Sequence, residues 1–295
     1  MFWGKGFICI LLSLVLLMTG CATEKQNTAT STGVPVPISK ETAPDTKAEK
    51  KVEEPAKKAD IFNTSYKVSK GSFIVDDPIM TVKIYYPQIT NLGDIDRQIA
   101  INEILKNQAL SYAKYEIEPE LFTDKYKGSP GRYWAKVDYE IKWQSENMVS
   151  FLYKGSKHFP RRPHPNHYRD GINIDIKKAK IIVLSELVEI DDSFSFAERF
   201  KEGKIKSVRP RLEGHAFFSN DPDMKNKGYV FSDAYLVERF NKPYNHYYLT
   251  KDSLGLIVPV IFALGDNVEF EVRYEDIGKY FKRNNELWRD FFPDL

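Results

Sequence analysis

The 295-residue sequence predicts an α+β fold, with antiparallel sheets built from hairpins and helices packed against them. Three observations lead there. Strand-like runs come in pairs joined by tight polar turns, which antiparallel neighbours allow and parallel neighbours do not. Helical runs stand apart from those pairs, which disfavours a doubly wound parallel sheet. The content of 42% hydrophobic and 28% charged residues suits a globular chain and excludes collagen, a wholly disordered chain and a multi-pass membrane protein. A formal net charge of +2 gives no global basic field, so nucleic acid is not an expected partner.

Lys5 is the one charge ahead of the apolar run Phe7–Met18. Its twelve residues would span about 18 Å as a helix, short of a ~30 Å hydrocarbon core. Residues 1–20 therefore read as a secretory signal peptide. Leu17-Met18-Thr19-Gly20-Cys21 resembles the bacterial lipoprotein box, in which small residues precede a cysteine that takes a diacylglycerol. The expectation is a chain anchored through lipidated Cys21 to the extracytoplasmic face of the cell membrane, since buried acyl chains contribute roughly 0.8 kcal/mol per methylene. The plainer alternative is an ordinary secretory signal with a chance cysteine. Both cysteines fall within the first 21 residues, so the remainder can form neither a disulfide nor a thiolate site.

Residues 22–60 hold no aromatic, four prolines, and seven acids against seven bases. Such a stretch buries too little apolar area to offset its ordering entropy, so residues 21–60 are expected to be the lipidated cysteine and a disordered linker. Its root-mean-square span would be roughly 35 Å. The folded body is expected over 61–295, in an N-terminal α+β part (61–160) and a C-terminal part (161–295) of one module.

Thr81–Tyr86 alternates as a strand and is expected to end at Pro87. Gly93-Asp94 then starts a helix whose apolar face draws on Ile95, Ile99, Ile101, Leu105, Tyr112 and Ala113, continuing to about Glu116, with Pro119 closing the region. Tyr133–Trp143 and Met148–Gly155 read as a hairpin across Ser145-Glu146-Asn147, with Val137, Tyr139, Ile141 and Trp143 on one face. Gly171–Ile176 and Ile181–Leu184 bracket the turn Lys177–Lys180, and residues 193–203 and 232–241 read as short amphipathic helices. A second hairpin joins Tyr247–Thr250 to Leu256–Phe262 through Lys251-Asp252-Ser253. Val268–Arg273 leads into a terminal helix carrying Ile277, Tyr280 and Phe281.

No phosphate-binding glycine loop, H-E-x-x-H zinc helix, C-x-x-C pair or G-x-S-x-G elbow occurs. Ser111 and Lys114 match S-x-x-K, but without a K-T-G partner that spacing is expected by chance. The dense constellation is His158 to Asp170, with His158, His164 and His167 among Arg161, Arg162 and Arg169 and three prolines. Three readings stand side by side. The imidazoles could ligate zinc with Asp170 or Asp175 as fourth ligand or orienter. The segment could be a solvated loop whose His and Asn cap backbone groups. Or it could be a basic surface for an anionic partner: residues 154–211 carry a net +6, against −1 for 61–153 and −4 for 212–295.

The helix with Ile101-Asn102, the strand Tyr139–Trp143, Tyr153 with Gly155, His164-Pro165-Asn166, Gly171-Ile172-Asn173-Ile174-Asp175 and Leu184-Ser185-Glu186-Leu187 come in an order that resembles the extracytoplasmic module of PdaC and RsiV. Tyr247–Leu254, Gly265 and Val272-x-Tyr274-x-x-Ile277 continue the resemblance, which spans about residues 66–283. That module stands ahead of a peptidoglycan deacetylase domain in one protein and forms the lysozyme-binding sensor of an anti-sigma factor in another. The sequence departs where the family has a compact Gly-Ala-His, so either His158 or His164 is the family histidine. It carries neither the deacetylase motifs nor an anti-sigma membrane segment.

The resemblance implies a stand-alone, non-enzymatic binding or sensing protein of the envelope, with no cofactor or metal. Its ligand would be cell-wall glycan or a wall-directed protein such as lysozyme. The candidate contacts are Tyr153, His158, Arg161, Arg162, His164, Asn166, His167, Tyr168 and Arg169, with the alternative that Tyr153 and Tyr168 merely finish a strand face. A second hypothesis is a metal-assisted hydrolase of wall polymers working through the His158–His167 loop. The third is a structural spacer without a small ligand.

Overall fold

Two sheets form from the paired strands. The computed structural model describes residues 64–113, 131–160, 162–191, 193–212, 217–224, 230–241 and 246–292, all within the unit Lys58–Leu295. The signal peptide, Cys21, the linker, Glu116, Pro119 and Arg161 lie outside the described residues.

The first sheet holds β1 (Lys67–Asp76), β2 (Met80–Thr90), β3 (Tyr133–Gln144), β4 (Met148–His158), β5 (Asn166–Asp175) and β6 (Lys180–Ile181), in that spatial order. After α2 (Leu184–Leu187) and α3 (Phe196–Lys201) comes a second sheet, ordered β7-β10-β9-β8. Its strands are β7 (Ile205–Ser207), β8 (Tyr247–Leu249), β9 (Ser253–Pro259) and β10 (Asn267–Arg273), with α4 (Asp233–Asn241) between β7 and β8. The pairings are antiparallel save β2 with β3, where the chain leaves β2 through α1 (Ile95–Ser111) before pairing in parallel. The fold is thus α+β with antiparallel-rich sheets, as the turn chemistry implies.

Asp94 starts α1 by accepting from the Arg97 amide at 3.0 Å, satisfying an otherwise orphaned helix donor. Ile101, Leu105 and Ala109 form the buried stripe. Ile95 and Ile99, expected on that face, are 62% and 51% exposed. They precede Ile101 by six and two residues, turning them roughly 120° and 160° away at about 100° per residue. Asn102, beside the stripe, binds both polar groups of Ile89 at the end of β2: its Oδ1 accepts from the amide at 2.6 Å and its Nδ2 donates to the carbonyl at 3.0 Å. Helix and strand end are locked together by one amide side chain.

Several strand expectations need correction. β2 runs through Pro87 to Thr90, because the β3 register ends at Ile84 and the later part of β2 has β1 as its registered neighbour. A strand with one open side tolerates a missing N–H. β1 was not anticipated: Lys, Ser and Gly interrupt its apolar alternation, as suits a sheet edge. The β3–β4 hairpin forms as expected, but a bulge falls between Ile141 and Trp143, so Phe151 opposes Ile141 while Ser150 opposes Trp143. Trp143 is thereby turned from the face it shares in sequence with Val137 and stacks on Phe291, 5.0 Å between centroids. Leu184 belongs to a one-turn helix rather than a strand, and the terminal helix is a single turn, Tyr274–Ile277 (α5).

Two cores result. Between α1 and the first sheet lie Val82, Ile84, Leu105, Val137, Phe151, Tyr153, Ile172 and Ile174. The second is aromatic: Phe194, Phe196, Phe217, Phe270, Phe281 and Trp288 pack among short helices and the second sheet. The two sheets approach at β5. A Cβ on Gly171 would lie 1.8 Å from the Tyr247 carbonyl oxygen, so only glycine lets the strands come this near. Asn173 Nδ2 donates to that oxygen at 3.0 Å, and the Leu249 amide donates to Ser150 Oγ at 2.9 Å.

Candidate functional site

The ends of β3 and β4 differ in what they hold. At the turn Ser145–Asn147, the incoming chain is tied down: the Ser65 amide and hydroxyl donate to Glu146 at 2.5 and 2.7 Å, and Tyr66 Oη donates to the Ser145 carbonyl at 2.7 Å. Asp290, near the C-terminus, receives Asn147 Nδ2 at 2.5 Å and also the Ser145 hydroxyl. The eleven residues of β4 lead from there to His158, about 33 Å away. The described residues of the connection to β5, 159–160 and 162–165, lie at that far end.

The proposed contact residues fall into three groups. His158 lies parallel to Trp134 with centroids 6.0 Å apart, and its Nε2 is 2.9 Å from the Arg162 carbonyl oxygen. Arg162 is exposed, its guanidinium 5.5 Å from the Phe159 ring centre. This group faces solvent.

His164, His167 and Arg169 line the seam with the second sheet. His164 stacks on Phe262 with centroids 3.4 Å apart. The His167 amide donates to Asp266 at 2.6 Å, and Asn267 Nδ2 donates to the His167 carbonyl at 3.1 Å. Arg169 Nε lies 2.5 Å from Glu269, whose side chain is 5% exposed. Gly265 and Asp266 take positive φ (96° and 62°), which bends the chain before β10 so that these partners meet β5.

Asn166, Tyr168 and Tyr153 turn to the α1 side. The Asn166 carbonyl accepts from Tyr112 at 2.9 Å, and Tyr112 stacks on Tyr168 at 4.1 Å. Tyr153 is fully buried and donates to the Leu105 carbonyl at 2.8 Å, so it finishes the core face of β4. Burial pushes the phenol pKa values of Tyr153 and Tyr168 well up, so both remain donors at neutral pH.

The split has a simple cause. Residues 166–169 belong to a strand, and alternate side chains of a strand point to opposite faces. The histidines, dense in sequence, thus make separate attachments, and among the described residues no group of three or more His, Cys, Asp or Glu side chains converges as a metal site.

Asp170 has a different role from that of a metal ligand. It accepts from Gln108 Nε2 at 2.5 Å and from Tyr168 Oη at 3.3 Å, with His246 Nδ1 3.6 Å from its other oxygen. Burial raises its pKa above the ordinary carboxylate range, and the His246, Tyr168 and Gln108 contacts offset part of that rise. His246 carried no sequence signal, because it arrives from 76 residues further along the chain.

Trp134 was also missed as a functional candidate. Its signal was available: it begins the outward-facing register of β3, opposite His158.

No family model matches the sequence, and no curated protein matches it. Among solved structures, a member of the DUF3298 family from Bacteroides fragilis NCTC 9343 is similar at 14% identity and a TM-score of 0.44, over 74% of this chain and 95% of that one. A DUF3298 family protein from Pseudomonas aeruginosa PAO1 is similar at 12% identity and a TM-score of 0.47, over 74% of this chain and 94% of its own.

Proposed function

We propose that this chain is a lipid-anchored binding or sensing module of the cell envelope, held through Cys21 and working on the extracytoplasmic side. Its ligand is cell-wall glycan or a wall-directed protein such as lysozyme. The observation that carries this reading is the opposition of the two sheet ends. Ser65 and Tyr66, where the linker would deliver the chain, are fastened at the Ser145–Asn147 turn. The exposed side chains of Ile79 (52%), Ile261 (44%) and Phe262 (40%), together with Arg162 and the His158–Trp134 pair, occupy the other end. A tether at one end and open apolar and basic groups at the other suit a protein that reaches away from its anchor. The apolar run ahead of Cys21 and the PdaC/RsiV resemblance point to the same compartment.

The test uses the full chain expressed in a bacterium. Labelled fatty acid is expected to enter the wild type and not Cys21→Ala, and the detergent-extracted protein is expected to co-sediment with isolated cell wall or to retain lysozyme at micromolar concentration. An unacylated product found with cytosol, or one that binds neither material, overturns the reading.

A further inference from the structure

The first sheet has a face of which the function above uses only one end, the His158–Trp134 pair. Strand alternation puts α1 over one side and leaves Lys70, Lys83, Tyr85, Trp134, Lys136, Lys154 and His158 on the other. The second sheet packs on that side over β4 and β5. Contacts confirm the shared face at β1–β3: Lys70 Nζ lies 4.5 Å from the Tyr85 ring centre and 2.9 Å from Asp138, and Lys136 Nζ lies 5.9 Å from the Trp134 ring centre. Lys70 and Lys136 are exposed, and Lys83, Tyr85, Trp134 and His158 half-buried.

The charges on this face are unbalanced. Its carboxylates are occupied, Asp138 by Lys70 at 2.9 Å and Glu140 by Lys154 at 2.7 Å. Lys83 and Lys136 are direct partners across the parallel β2–β3 pair, where like charges oppose folding. Among the described residues, neither has a carboxylate within ion-pair distance, and Asp76, the acid that acts on Lys83 through space, is bound by Arg132. Next along β3, the half-buried Trp134 indole has its ring centre 5.9 Å from Lys136 Nζ.

From this juxtaposition we infer that the Lys83–Lys136–Trp134–His158 face is a docking surface for a phosphate-bearing glycan polymer. The two ammonium groups meet a phosphate as point charges, and the indole takes the apolar face of a neighbouring sugar ring. Paired surplus cations beside a flat ring suit a chain in which charge and ring alternate. Two cations alone would also attract an anionic lipid surface, at about 1 kcal/mol each, but that contact leaves the indole unused, and Ile74, 55% exposed, is the one large and widely exposed apolar side chain on this face among the described residues. The inference rests on the envelope reading, since that is where such polymers meet the chain.

The experiment takes the full chain in phosphatidylcholine nanodiscs and titrates a glycosylated poly(glycerol phosphate). Lys83→Gln with Lys136→Gln is expected to weaken binding about five- to tenfold, and Trp134→Ala by a similar factor. The lysine double variant is expected to melt no lower than wild type, because it removes a repulsion, while the polymer raises the melting temperature of wild type more than that of the variant. Equal affinity of wild type and double variant overturns the inference, as does binding to phosphatidylglycerol vesicles without binding to the polymer. Failure here with cell-wall or lysozyme binding intact leaves the envelope reading standing, whereas loss of acylation and of all wall binding removes both.

Discussion

The two cores stabilise themselves in different ways. Under α1, the core is drawn from long regular elements, so its residues recur at the period of a strand or a helix: Val82 and Ile84, Ile101 and Leu105, Ile172 and Ile174. The second core is assembled from one-turn helices and short strands, and specific ring geometry takes the place of regularity. Phe281 stacks on Trp288 at 4.0 Å, Tyr274 meets Trp288 edge-on at 5.5 Å, and Phe270 receives Phe217 and Phe218 at 5.2 and 4.7 Å. Aromatic pairs add roughly 0.5–1.5 kcal/mol each beyond the area they bury. A region poor in regular elements can thus be rigid if it is rich in well-oriented rings.

Trp288→Ala gives the largest expected effect. It removes the stack with Phe281 and the 2.9 Å hydrogen bond from Nε1 to the Leu187 carbonyl, which joins the C-terminal segment to α2. A loss of about 4 kcal/mol is expected in urea unfolding. Leu105→Ala in the other core is expected to cost about 3 kcal/mol. If Leu105→Ala proves the costlier of the two, rings do not outweigh regularity.

Gly171→Ala tests the seam between the cores. Its Cβ has no room beside the Tyr247 carbonyl, so the sheets must part, at a cost of about 2–3 kcal/mol. Loss of amide protection in β8 before β3 would show that the seam opens first, and uniform loss would show that both sheets unfold together.

Asp170→Asn gives the smallest change at neutral pH and the clearest pH signature. Burial raises the folded-state pKa, so stability from the protonated acid is full below the unfolded-state value and is lost as pH rises through the folded one. Wild type is expected to lose stability relative to Asp170→Asn from roughly pH 4 upward. A stability difference that stays constant between pH 4 and 7 would mean that Asp170 is ionised throughout.

What the sequence disclosed follows the same division. The β3–β4 and β8–β9 hairpins and the Asp94 cap are local, written in alternation and turn residues, and were read correctly. β1 escaped because an edge strand need not bury alternate residues, and Trp143 because a bulge inverts the side on which it projects. At the candidate site, His158 to Arg169 was visible as a cluster of types but not as an arrangement. The partners that fix it, Phe262, Asp266 and Glu269, lie about a hundred residues further on. Reading residues 166–169 as loop rather than strand hid the alternation that sends Tyr168 and Arg169 to opposite faces.

The fastening of the incoming chain beside the Ser145–Asn147 turn also has a mechanical consequence. On the anchored reading proposed above, tension between the anchor and an object held at the far end would run lengthwise along β1, which pairs with β2 over ten successive residues. Such a pull loads the rungs of that ladder in shear, all at once, instead of peeling them apart singly. That geometry favours a domain that stays folded under such a load.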